Sequence, residues 1–335
     1  MAKKMFSKEP YVFTTLTAFS IAFFITYILG NILTQIGMWT HLNLLTQWGV
    51  LMSGLLGPAI GISIAYKSGT SHLGLICAMM AGCVGLGSIS GTSLQIAAPF
   101  MAYICVLVTV WVNNFLEGKT PFDLFLLPLA SVFIAGIIHA LFTPYLSIFL
   151  TYVVQFINNM TNMNPLLMGI VIAVVAGLLF TSPITIVAIT SILQLTPLAC
   201  GAALAGVMSF MLGLGLMSLQ DNDIGDSLAV IFGTSMLQFT NMIKHPIILI
   251  PPIVSSIVCG CVSAALFQIT TSVHSVAIGG TLFMGVIETV EQMGISYWIL
   301  PVVAYIILPI VINFAVYQLF RKAHYLRNGD LKILK

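Results

Sequence analysis

The sequence predicts an all-α, polytopic membrane protein with about ten transmembrane helices plus re-entrant hairpins. Charged residues make up 6% of the 335 and apolar residues 59%, with a mean hydropathy of +1.09, whereas a soluble domain is about a quarter charged. The basic residues crowd the two ends: Lys3, Lys4 and Lys8 at the start, and Arg321, Lys322, Arg327, Lys332 and Lys335 at the finish. Positive-inside bias therefore places both termini in the cytoplasm, and the number of crossings is even. Several apolar runs also stop short of the ~20 residues that a helical crossing needs. Polar groups sit at their breaks, and such backbone survives at membrane depth only where it lines a cavity or is buried in protein.

The first run, Tyr11 to about Met38, exceeds the apolar core of a secretory signal and has no prompt small-residue cleavage site, so it reads as the first membrane helix. Leu44 to Tyr66 reads as the second, with Gly54, Gly57 and Gly61 allowing a neighbouring backbone to approach. Lys67 marks a cytoplasmic turn before a third helix from about His72 to Gly87. The Gly- and Ser-rich stretch Gly85 to Gln95 is a poor helix former and is expected to unwind. A fourth helix, about Ala97 to Phe115, ends at Glu117, Lys119 and Asp123. Pro121 to Phe142 and Pro144 to Ile157 are either two helices or one broken at Pro144, and the sequence leaves both open.

A polar turn from Asn158 to Pro165 precedes a helix over Leu166 to Phe180, and the short run Ile184 to Leu195 is a candidate re-entrant segment. Leu198 to Leu219 spans. A helix to about Phe267 follows Pro252, then a polar turn at Thr270 to His274 and an interrupted run from Gly279-Gly280 through Glu288 and Glu291. Ser296 to Phe320 is the last helix, with Pro301 and Pro309 inside it.

The stretch Asp221 to Pro252 carries the candidate site. After the acids Asp221, Asp223 and Asp226, an uncharged run from Ser227 to Thr240 is too short to cross. It is interrupted by Gly233, Thr234 and Ser235 and followed by Gln238, Asn241, Lys244 and His245. Interruptions of this kind point to a transporter's binding site. Gln238 and Asn241, three apart, share one helix face and offer paired donors and acceptors, and Lys244 continues the stripe. Lys244 and His245 either line the cavity or lie at the membrane boundary with Lys244 reaching water. Glu288, three residues from Glu291 on one face, is the further candidate; a solvated loop is the alternative. The three acids are a plain cytoplasmic loop or a docking surface. His139, deep in an apolar helix, is expected to be a hydrogen-bonded packing residue. Gly91-Thr-Ser-Leu-Gln95 and Gly233-Thr-Ser-Met-Leu-Gln238 match apart from one inserted Met, a weak internal echo.

No catalytic residue, metal ligand set or cofactor is expected. The sequence has no H-E-x-x-H, P-loop or G-x-S-x-G. The six cysteines lie in apolar segments, where Cys serves as a small hydrophobe. Nothing points to nucleic acid.

Gly233 to Pro251 resembles the sugar-transporting membrane subunit of the phosphotransferase system, enzyme IIC of the glucose superfamily. There an N-E-P triplet precedes an F-G-x-P-I-x-x-N-P segment and an I-P; Pro246 and Pro251 keep that spacing, with His245 where the family has Asn. The wider match, strongest from Gly177-Leu-Leu-Phe-Thr-Ser-Pro183 to Gly294, is similar to the branch that includes the perfringolysin O regulator. The resemblance implies a homodimer in the plasma membrane, with residues 10–160 as scaffold and dimerisation region and 165–320 as substrate-binding transport region. It implies a sugar or sugar derivative as substrate, with Thr234, Ser235, Gln238, Asn241, Lys244, His245 and Glu288 as contacts. Thr234 stands where the family's acid should be, so coordination by that acid is lost. The 335 residues hold no soluble domain with a phosphorylatable Cys or His, so phosphoryl transfer would need separate IIA and IIB subunits. A membrane-embedded sensor that regulates gene expression without transport is the alternative.

Overall fold

The computed structural model describes residues 11–87, 98–161, 164–183 and 195–333. The first half of the internal echo and nearly all of the Ile184 to Leu195 segment lie outside them, as does most of the stretch expected to unwind after Gly87. Among the described residues all regular structure is helical. Six helices among the described residues are long and apolar enough to cross a membrane, or seven if one bent pair counts as a single span. The chain divides into two compact units between Phe149 and Leu150.

In the first unit, α1 (Tyr11–Trp39) is the expected first crossing, with a wider-wound turn at Phe24–Ile28. The second predicted helix is instead a pair, α2 (Asn43–Gly54) and α3 (Leu56–Lys67), bent by 49° at Leu55. The cause is Pro58 in the first turn of α3: proline is pre-organised for a helix start but disrupts an interior. Next come α4 (His72–Leu86), capped by Gly87 in the left-handed region at φ 70°, and α5 (Ala98–Leu116). A Cβ at Gly61 would sit 2.6 Å from the Ala78 carbonyl carbon, so α3 and α4 pack backbone to backbone. Thr15 Oγ1 and Tyr103 Oη, 3.0 Å apart, tie α1 to α5. His139 Nδ1 lies 3.2 Å from the Gly85 carbonyl, the packing role the sequence predicts.

The break expected at Pro144 in either alternative is not found: α6 runs continuously through Asp123–Thr161, 39 residues, with Pro128 and Pro144 inside, because the turns around a proline can re-satisfy the one donor it removes. It absorbs the first residues of the expected polar turn at Asn158. Only 17% of its most apolar window is buried, and Phe133, Ile137, Tyr145 and Tyr152 are among its exposed apolar side chains.

The second unit is built around α8 (Pro197–Ser218), whose apolar window is 94% buried. It is flanked by α7 (Pro165–Thr181) and α11 (Pro246–Leu266). Four Ala and four Gly among the 22 residues of α8 suit a setting where lipid gives little hydrophobic drive between helices, so close backbone approach and dispersion supply the attraction. A Cβ at Gly206 would fall on the Ala173 carbonyl and within 2.7 Å of the Ala173 Cα. Two buried donors are answered across helices: Tyr305 Oη donates to the Gly201 carbonyl at 2.9 Å, and Asn313 Nδ2 to the Ser209 carbonyl at 3.1 Å. Both residues belong to α14 (Ile295–Lys322).

Candidate functional site

Two interrupted stretches of the second unit meet beside α8. In the first, α9 (Ile224–Phe232) ends at Gly233, a short tight helical turn occupies Ser235–Gln238, and α10 (Phe239–Lys244) follows. This is the predicted break at Gly233, Thr234 and Ser235. Thr234 adopts extended backbone and its hydroxyl accepts from the Met236 N–H at 3.2 Å, the local competition that makes hydroxyl residues interrupt helices. Ser235, fully buried, lies with its hydroxyl 2.8 Å from that of Thr181 on α7.

In the second stretch, α12 (Val273–Ile278) and α13 (Met284–Met293) are separated by a turn with positive φ at Gly279, Leu282 and Phe283. Leu282 and Phe283 are bulky residues in the left-handed region, a conformation that costs of order 1–3 kcal/mol each and persists only where the surroundings enforce it. The enforcement is visible. Phe283 packs edge-on against Phe232 at 5.2 Å, and Thr281 Oγ1 donates to the Gly233 carbonyl at 3.2 Å. That bond satisfies a carbonyl freed by the first break, so the two interruptions stabilise each other.

The predicted site residues fall into two groups. Gln238 and Asn241 share a face as expected: Asn241 Nδ2 donates to Gln238 Oε1 at 2.6 Å. Their remaining donors go to the carboxyl-terminal segment, Gln238 Nε2 to the Leu331 carbonyl at 2.9 Å and Asn241 Nδ2 to that of Lys332 at 3.1 Å. Lys244, half-buried, and His245, exposed, close α10, and His245 Nδ1 lies 3.7 Å from Asp330 Oδ1.

Glu288 belongs to the second group. Its Oε1 accepts from Ser272 Oγ at 3.1 Å and Gln292 Nε2 at 3.0 Å, and its Oε2 faces His274 Nδ1 at 3.1 Å. The side chains of His274 and Glu288 are 66% and 25% exposed, so a solute can reach them. An ionised carboxylate offers about four acceptor positions. Three are occupied by these neighbours, which leaves acceptor capacity for a ligand hydroxyl.

Beyond a polar turn at Thr270 to His274, no sequence pattern marks Ser272, His274 or Gln292 as partners of Glu288. The pairing needs the strained turn at 279–283 to fold α13 back on α12.

The family model described as Phosphotransferase system, EIIC matches residues 13–333, nearly the whole chain. In comparisons with curated proteins and with solved structures, nothing matches. A helical, multi-pass architecture, two interrupted stretches meeting beside a buried helix, and a match of that extent agree: the chain belongs to the phosphotransferase-system EIIC family, the sugar-specific membrane component of that transport system.

Proposed function

We propose that this protein carries a sugar or sugar derivative across the plasma membrane through the second unit, with the interrupted stretches as its substrate-binding region. The observation that carries the substrate class is Glu288: a carboxylate oriented by three donors, open to solvent and with acceptor capacity to spare. Carboxylates accept from sugar hydroxyls, and the second amide hydrogen of Gln292, not used on Glu288, is a complementary donor. Thr234, Ser235, Gln238, Asn241, Lys244 and His245 are the further contacts in this reading, at other points along the path: Glu288 lies beside the Pro197 start of α8, whereas Gln238 and Asn241 lie beside its Ser218 end and are engaged by the carboxyl-terminal segment here. Phosphorylation of the substrate is the task of separate IIA and IIB subunits.

Counterflow of labelled sugars into proteoliposomes tests the reading. Saturable counterflow of at least one sugar is expected; saturable binding with no flux from any of them overturns carriage.

The reading extends to about ten crossings in a homodimer, with residues 10–160 as scaffold and dimerisation region, 165–320 as transport region, and both termini cytoplasmic. The exposed apolar side chains of α6 supply surface for lipid and for a second copy. Cysteines placed at Lys4 and Lys332 are expected to resist an impermeant reagent in intact cells, and the protein to sediment as a dimer in mild detergent. Labelling without permeabilisation, or a monomer at moderate concentration, would contradict the respective half of this arrangement.

A further inference from the structure

We propose that the carboxyl-terminal segment is an internal peptide ligand, seated in a groove of side chains that reads main chain, and that while seated it closes the Gln238–Asn241 face. The chain reaches the groove through two turns. After Lys322 it reverses at His324 in the left-handed region, with the Tyr325 N–H bonded to the Phe320 carbonyl at 3.0 Å. Gly329, at φ 95°, makes the second turn while Asp330 Oδ2 accepts from the Arg327 N–H at 2.8 Å.

Leu331, buried at 2% exposure, ends this turn, which the Lys332 N–H closes onto the Gly329 carbonyl at 3.2 Å, and Lys332, exposed, and Ile333, half-buried, follow it. A strand added to a sheet edge takes its hydrogen bonds from neighbouring backbone. Here side chains supply them. Asp221 Oδ2 accepts from the Leu331 N–H at 3.2 Å. Asn222 behaves as a backbone surrogate, donating to the Leu331 carbonyl and accepting from the Ile333 N–H, both at 2.7 Å. The Leu331 carbonyl also takes Gln238, and that of Lys332 takes Asn241.

These five bonds hold backbone, and the one side chain they seat deeply is Leu331, so the groove selects a short run of main chain with an apolar anchor. Five hydrogen bonds and one buried side chain are a small hold for a segment outside any helix, which makes this ligand exchangeable. Release of the segment frees Gln238 Nε2 and one hydrogen of Asn241 Nδ2 for other partners, while the bond between the two side chains stays. The groove stands independently of the transport reading; its effect on substrate access rests on that reading.

Hydrogen exchange on the full-length protein in mild detergent tests the groove without any variant: the Leu331 and Ile333 amides are expected to be protected. Exchange there should accelerate at least about tenfold in Asn222→Ala and in Leu331→Asp, because each removes an anchor of a terminal segment. A synthetic peptide of residues 326–333 should bind the Leu331→Asp protein at least about tenfold more tightly than the parent, whose own segment competes at high effective concentration. Unprotected amides in the parent, or equal binding of the peptide to both proteins, overturn the proposal. Sugar counterflow unchanged in Leu331→Asp overturns the closing role, and absence of counterflow in parent and variant alike, with peptide binding intact, overturns the transport reading and leaves the groove standing.

Discussion

Glu288→Gln is expected to lower sugar affinity by roughly tenfold to a hundredfold, the loss of one charge-assisted hydrogen bond in a partly desolvated site. The substitution keeps the shape of the side chain. It replaces one acceptor oxygen by an NH2 group, which cannot accept from a sugar hydroxyl and presents donors toward Ser272, His274 or Gln292. Folding should survive, since Glu288 is a quarter exposed and the neighbouring Thr271–Thr289 hydroxyl contact at 2.8 Å does not involve it. Titration of the sugar that gives counterflow, with a thermal midpoint on the same samples, separates the two effects. A variant with parental affinity would remove Glu288 from the substrate site. A lost midpoint would instead make it a structural residue.

Gly206→Ala should destabilise the second unit by about 3 kcal/mol or more, because overpacking against atoms that cannot yield exceeds the usual 1–3 kcal/mol. What the added methyl meets is backbone, the Ala173 carbonyl and Cα, so α7 and α8 must separate. Gly225→Ala in α9 is the control: nothing lies within 4 Å of its Cβ, and helix propensity favours alanine by up to about 1 kcal/mol. Unfolding midpoints in detergent should fall for Gly206→Ala and hold or rise for Gly225→Ala. Equal midpoints would mean the helices are not in such close contact.

The helices themselves were largely legible in the sequence, because an uninterrupted apolar run of sufficient length has few ways to satisfy its backbone in lipid. The break at Gly233 to Ser235 was legible for a related reason: a glycine followed by two hydroxyl residues both weakens the helix and offers its freed groups a substitute. The bend at Leu55 escaped notice because Gly54 and Gly57 have a packing explanation that masks the role of Pro58. The left-handed Leu282 and Phe283 contradict local preference outright, and only tertiary contacts with Phe232 and Gly233 stabilise them. Contacts between residues such as Gln238 and Leu331, 93 positions apart, leave no periodic trace. Gln238 and Asn241 were rightly paired on one face, yet what that face meets could be learned only from the fold.

One consequence of α6 concerns the bilayer itself. At 1.5 Å per residue, its 39 residues extend roughly 58 Å, about twice a hydrocarbon core of ~30 Å. Tilt alone would have to approach 60°, beyond the ~40° upper end seen for membrane helices. Part of this rod must therefore leave the hydrocarbon and lie among headgroups, ending in Asn158, Asn159 and Thr161. Mismatch costs fractions of a kcal/mol per Å, so the tilt of α6 follows the acyl-chain length of the surrounding lipids, and the protein's working geometry becomes a function of membrane thickness.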